Sequence, residues 1–201
     1  MKFALFYEIP VTAPFTREKE NAAFHNTLEQ AVFADEMGWH GFWTVEHHFL
    51  EEFSHCSNPE VLYGAVAART QNLRIGYGVR LAPKGYNHPI RSAESAAMLD
   101  HLSKGRVDFG TGRSSTRLEL AGKHWQVPKR RVIPKPYQDP HPPIFGANGS
   151  DSGHKLMGEL GLGLCSFSVG TPPPDVARRI AIYRDGIKTC RKPVGSISCS
   201  A

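Results

Sequence analysis

Short apolar runs alternate with amphipathic stretches along the whole chain, one pair every thirty to forty residues or so, and this rhythm restricts the fold more than any other feature. Phe3 to Tyr7 is a run of strand type. Behind it Phe24, Leu28, Ala31 and Val32 fall at i, i+4, i+7 and i+8, the spacing of a core-facing helix, and Gly38 ends that helix. A second strand is expected at Gly41 to Val45. Asn58-Pro59 then offers an N-cap and a proline at the first helical position, opening a helix through Val61, Leu62, Ala65 and Val66. Leu73 to Val79 reads as the third strand, Pro89 to Met98 as the third helix and Arg106 to Gly110 as the fourth strand. A Pro-rich stretch from Val127 to Pro143 breaks the rhythm. It resumes with a strand at Pro143 to Ala147, a helix near Ser152 to Leu160 and a strand at Leu162 to Ser168. The last helix starts at Pro173 and carries Val176, Ile180, Tyr183 and Ile187.

Repeated βα units build a parallel sheet, either open and doubly wound or closed into a barrel. No G-x-G-x-x-G follows the first strand, so the dinucleotide fingerprint of the doubly wound fold is missing. Polar and glycine-rich segments instead follow several strands in turn. That distribution suits a TIM-type (β/α)₈ barrel, whose site is assembled from loops at the C-terminal ends of many strands. A complete barrel takes about 250 residues, whereas these 201 residues hold about six units. The expectation is a single α/β barrel domain over residues 1–201, incomplete as the sequence stands.

Composition removes several alternatives. With 40% hydrophobic and 21% charged residues the chain can bury a core and is not a disordered polymer. No apolar run reaches the roughly eighteen residues of a membrane span, and the opening segment meets Glu8 after about five apolar residues, too soon for a signal peptide. A cytoplasmic protein with no membrane partner is expected. The net charge is +5, but Lys and Arg are scattered, and Lys129-Arg130-Arg131 is brief and followed by prolines. That is a solvated basic loop, and no nucleic-acid partner is expected. Cys56, Cys165, Cys190 and Cys199 lie too far apart for a zinc pattern or a disulfide framework.

Chemistry is therefore sought at the strand ends. Glu46-His47-His48 follows the second strand. Adjacent residues of an extended segment point to opposite sides, so one His at most faces a barrel mouth, and no metal-ligand spacing accompanies the pair. A histidine acting as base or hydrogen-bond donor fits better, since its ordinary pKa is near neutrality. Gly112-Arg113-Ser114-Ser115-Thr116 joins backbone freedom to a fixed cation and three hydroxyls, a set suited to phosphate. Asn148-Gly149-Ser150-Asp151-Ser152 leads into a helix, whose N-terminus also favours an anion. Trp43, Phe49, Tyr86 and Phe167 are candidates either for an apolar pocket or for core packing. No G-x-S-x-G nucleophile elbow occurs.

Several segments, in this order, resemble the bacterial luciferase-like flavin monooxygenases. They are Met1-Lys2-Phe3, Val45-Glu46-His47-His48-Phe49, Ser57-Asn58-Pro59, Leu73-Arg74-Ile75-Gly76, His88-Pro89-Ile90-Arg91 and Leu99 to Arg106 followed by Phe109 to Arg113. Pro134-Lys135-Pro136, His141-Pro142-Pro143 and Asn148-Gly149 continue the likeness. The resemblance implies a TIM-type barrel that binds reduced FMN at its mouth and uses O₂ to oxygenate a small aldehyde- or ketone-like substrate. It further implies a separate flavin reductase and a homodimer. By the same resemblance His47 is the catalytic base or donor, with Glu46 in the same motif, and Gly78-Val79 is a cis peptide under the flavin ring. Arg113 would hold the phosphate, and Asn148, Gly149 and Ser152 belong to a second phosphate-side loop, although the family carries an acid where Asn148 stands. Two departures stand out: Gly122 runs directly into Lys123 where the family has several dozen more residues, and the final units of the barrel are absent. A non-catalytic flavin-binding relative and a deazaflavin- or metal-using enzyme on the same barrel are the alternatives.

Overall fold

The computed structural model describes residues 2–82, 87–112, 137–138, 141–166, 168 and 170–190. Its strands are β1 (Ala4–Tyr7), β2 (Gly41–Thr44), β3 (Arg74–Tyr77), β4 (Arg80–Leu81), β5 (Val107–Gly112), β6 (Ile144–Asn148) and β7 (Gly163–Ser166). The helices are α1 (Arg17–Glu36), α2 (Pro59–Arg69), α3 (Pro89–Leu102), α4 (Asp151–Glu159) and α5 (Pro173–Thr189). The strands form one parallel sheet in the order β1-β2-β3-β5-β6-β7, with β4 also on β5. Strand order thus follows chain order without a reversal, which is barrel-type winding and excludes the doubly wound alternative. The described strands make a curled, incomplete barrel.

Strand alternation assigns one row of side chains to the helices and the other to the concave face. Phe42, Ile75, Tyr77 and Val107 point outward and form the main core with Ala31, Ala34, Tyr63, Val66 and Leu99 of the helices. Tyr63 is fully buried and its hydroxyl lies 3.0 Å from the Thr44 carbonyl and 2.9 Å from that of Gly76, pinning α2 to β2 and β3. On the concave face Phe6, Trp43 and Phe145 make an aromatic wall. Trp43 lies across Gly76, where no Cβ could fit, and meets Phe145 edge-on at 5.2 Å. Phe6 stays 59% exposed, because β1 and β7 end the strand order among the described residues.

Three local features depart from the sequence expectations. The third strand is divided in two at Gly78–Val79, whose peptide bond is cis as the resemblance implied. The buried face of α1 is Thr27, Ala31 and Ala34, while Phe24 is exposed; small side chains let the helix sit close to the sheet. Asn58 stands at the N-cap of α2 but makes no side-chain capping bond, so Pro59 alone supplies the start signal.

The far, N-terminal end of the barrel is tied by charge. Asp35 accepts from the backbone N–H groups of Gln71, Asn72 and Leu73, and Arg106 donates to the carbonyls of Ala67, Thr70 and Leu73. Arg74 and Asp108 pair at 2.6 Å beside them. Buried Asp100 accepts from Gln138. The Leu99 to Arg106 segment, one of those that carry the resemblance, is therefore an architectural element away from the mouth.

Candidate active site

Because every strand runs the same way, all C-terminal strand ends lie on one rim. β1 delivers Glu8 to that rim and β2 delivers Glu46, His47 and His48. The His47 backbone N–H donates to the Cys56 carbonyl at 2.9 Å, which fixes the loop after β2. Its Nε2 lies 3.5 Å from Glu8 Oε2. Both His47 Nδ1 and Glu8 Oε2 are buried without a hydrogen-bond partner, a costly arrangement unless a ligand or a shared proton completes it. Burial lowers the His47 pKa below its ordinary 6.5; nearby His48 acts in the same direction and Glu46 opposes. Burial also raises the Glu8 carboxyl. Both effects favour the uncharged forms of the two groups.

Glu46 occupies a different environment. It is 3% exposed, and its two oxygens accept from the Leu81 backbone N–H at 3.0 Å and from Asn87 Nδ2 at 2.9 Å. His48 Nε2 lies 3.4 Å away and Arg80 Nη1 3.7 Å away, with Arg80 also paired to Glu60. This carboxylate joins the end of β2 to β4 and to the entry of α3. Both of its oxygens are engaged by the scaffold.

Gly78 and Val79 meet the ends of β5 and β6. A Cβ on Gly112 would stand 2.9 Å from Val79 Cγ2 and 3.3 Å from Ala147 Cβ, so glycine is needed for the close approach. β6 ends at Asn148, and Ser150 caps α4 by accepting from the Gly153 N–H at 3.2 Å. The Asn148 carboxamide packs over Gly153, and Ser150 Oγ lies 3.4 Å from both Asn148 Oδ1 and Ser152 Oγ. Buried His154 fixes this turn by bonding the Ser150 carbonyl at 2.7 Å and Ser166 Oγ at 2.8 Å. Asp151 is paired with Arg178 and Arg179, which neutralises the acid nearest the helix start. A capped helix N-terminus with its acid compensated suits an anionic group.

The structure thus brings Glu46, His47 and Gly78 to adjoining strand ends, the Gly78 N–H bonding the Thr44 carbonyl at 2.8 Å, while Val79 reaches the ends of β5 and β6, and Asn148, Gly149 and Ser152 lie at the end of β6 and the start of α4. Arg113, Tyr86, Phe167 and the Gly122–Lys123 junction lie outside the described residues. Glu8 was missed by sequence reasoning, which read it only as the end of an apolar run. Its place directly after β1 was the available signal. Among the described residues no group of three or more His, Cys, Asp or Glu side chains is placed to hold a metal. No described helix is long and apolar enough to cross a membrane.

The described residues fit a flavin. Phe6, Trp43 and Phe145 offer an apolar wall to a flat ring, the two orphaned rim atoms offer hydrogen bonds, and the start of α4 offers an anion site.

Comparison with known proteins places this arrangement. The family model described as luciferase-like monooxygenase matches residues 1–120 and 114–200. The oxygenase component of a flavin-dependent trigonelline monooxygenase from Acinetobacter baylyi is 28% identical over 194 residues, covering 80% of this chain and 52% of that protein. The monooxygenase RslO1 of Streptomyces bottropensis superposes with a TM-score of 0.72 at 26% identity, over 92% of this chain and 65% of that one. The oxygenating constituent of 3,6-diketocamphane monooxygenase from Pseudomonas putida, solved with FMN, gives a TM-score of 0.75 at 20% identity, over 96% and 64% of the two chains, and at that identity shows the fold alone. The chain spans about half the length of such curated relatives.

Proposed function

Because this chain belongs to the luciferase-like monooxygenase family, we propose that its strand-end rim binds reduced FMN and directs O₂ onto a small organic substrate. The observation that carries this reading is the His47–Glu8 pair, 3.5 Å apart at adjacent strand ends on the rim that barrels use for chemistry, with His47 Nδ1 and Glu8 Oε2 buried and making no hydrogen bond. Reduced FMN, when bound, supplies the electrons that activate O₂.

The chain's own residues do the remaining work. The neutral imidazole of His47 accepts or donates a proton at the ring, with Glu8 as its proton partner, and Glu46 holds the strand end that presents it. Phe6, Trp43 and Phe145 offer the flavin ring an apolar wall. Gly78 and Val79 shape the floor between β3 and β5. Arg113 and the Asn148-Gly149-Ser150-Asp151-Ser152 turn hold the phosphate through a fixed cation and helix N–H groups. The reductant arrives from a separate flavin reductase, in keeping with the name "oxygenase component" borne by the trigonelline relative. A homodimer is part of the same proposal.

The test is to supply enzymatically reduced FMN and labelled O₂ with a panel of aldehydes, ketones and heteroaromatics, and to follow label in the product by mass spectrometry. Incorporation that His47→Ala abolishes supports the proposal. Flavin binding with no label in any product replaces it with a non-catalytic flavoprotein, and tighter binding of a deazaflavin replaces the cofactor.

A further inference from the structure

A cavity of about 530 Å³ opens beside the proposed flavin site, between the β1–α1 and β2–α2 loops. Phe15, Phe49 and Phe53 line it together with Leu50, Glu51 and Glu52. The three rings are strongly exposed for phenylalanines, at 41%, 83% and 55%. Phe49 is held at φ 59°, a left-handed conformation that a bulky residue rarely adopts, so the loop keeps this ring at the surface against its backbone preference. A tight turn closes the other side: the N–H groups of Phe53 and Ser54 both donate to the Leu50 carbonyl, at 3.1 and 2.9 Å, and project Glu51, Glu52 and Phe53 together. The Phe53 ring lies 5.8 Å from that of His47, so one lining side chain separates the cavity from the proposed reacting group.

Charge gives the cavity its selectivity. Glu51 and Glu52 bring two carboxylates, and Glu52 accepts a long contact from the Ala13 N–H at 3.4 Å. Lys19 brings one ammonium on the Ala13 side, held by the carbonyls of Thr12 and Ala13 at 3.0 and 3.3 Å. His55, whose ring lies 5.5 Å from Phe15, is paired with Glu20 at 3.2 Å. The balance at the cavity is negative. Aromatic faces attract a cation through the ring quadrupole, and adjacent carboxylates reinforce that attraction. A neutral hydrophobe would gain only ring contact while desolvating the carboxylates, and an anion would be repelled.

We propose that this cavity is a recognition subsite for organic cations, an ammonium or pyridinium group on an apolar frame. As a substrate subsite it rests on the monooxygenase reading; as a cation site it stands on the cavity alone. The probes are benzyltrimethylammonium, its uncharged carbon isostere neopentylbenzene, and phenylacetate, titrated into the full chain by NMR, with reduced FMN titrated in parallel.

The cation should bind about tenfold or more tighter than the isostere, and phenylacetate weakest. Raising NaCl from about 0.05 to 0.5 M should weaken the cation several-fold. The Glu51→Gln/Glu52→Gln double variant should lose the preference for charge, and Phe53→Leu should weaken both the cation and the isostere, while FMN affinity holds in each. All three substituted side chains are exposed, so the fold is not at stake. Equal binding of cation and isostere, or a preference that survives the double variant, overturns the proposal. Loss of FMN binding in the wild-type chain with the cation preference intact removes the flavin reading and leaves the cation site standing.

Discussion

Replacing Glu46 separates scaffold from chemistry. In Glu46→Gln the side chain keeps its shape, but its amide NH₂ must face either the Leu81 N–H or the Asn87 amide, so one good contact becomes donor against donor. Arg80 loses a charge partner at 3.7 Å but keeps Glu60. Hydrogen bonds to a charged group contribute about 1.5–3 kcal/mol each, so Glu46→Gln should cost about 2–3 kcal/mol. Glu46→Ala strands the Leu81 N–H and leaves Asn87 Nδ2 only its bond to the Leu81 carbonyl, at a site where Glu46 was 3% exposed, and should cost about 3–5 kcal/mol. Urea denaturation followed by circular dichroism reads this directly. With a slope of about 2 kcal/mol per molar urea, the glutamine variant should unfold about 1 M earlier than wild type. Asn87→Ala should add little on top of Glu46→Ala, because the two share one contact. A glutamine variant within about 0.5 kcal/mol of wild type but devoid of turnover would refute this reasoning and return Glu46 to the reaction itself.

Three further outcomes are expected. Since burial places the folded-state pKa of His47 below 6.5, the unfolded chain binds more protons below that pH; the stabilisation is complete above about pH 6.5 and is lost as pH falls toward the folded value. Denaturation midpoints taken from about pH 7.5 to 5 should fall less steeply in His47→Gln than in wild type, and identical slopes would contradict the shift. Burial pushes the Cys56 and Cys165 thiols up to about 11, so iodoacetamide should label them slowly in the native chain at neutral pH and rapidly after unfolding. Gly158→Ala should cost about 1–3 kcal/mol in thermal or urea unfolding, because its Cβ would meet Ile187 N at 2.8 Å and the Tyr183 carbonyl where α4 crosses α5.

The barrel was legible in the sequence because apolar periodicity and punctuation agree along most of the chain. Gly38, Pro89 and Pro173 mark boundaries within a residue or two of their observed places. The α1 stripe holds at Ala31, which is buried, and at Leu28, which packs on the core, but not at Phe24, whose place is taken by Thr27 and Ala34; close packing there is set by the partner surface, which a single helix does not encode. The rim was half legible. His47 and the Asn148–Ser152 turn follow strands in sequence, and the strand-end rule finds them. Glu8 follows a strand equally well, but one carboxylate carries no signal until Nε2 of His47 is seen 3.5 Å away. The environment of Glu46 was hidden for the complementary reason. Its partners Leu81 and Asn87 are thirty-five or more positions distant, so only the fold shows its lone pairs to be occupied.

The most direct test of the central claim is a flavin titration. Reduced FMN and reduced riboflavin are titrated anaerobically into the chain and into Arg113→Ala. FMN should bind the wild type more tightly than riboflavin, and Arg113→Ala should cost FMN about 1.5–3 kcal/mol while leaving riboflavin nearly unchanged. Equal affinities for the two flavins, or equal losses in the variant, would contradict a phosphate site at this rim.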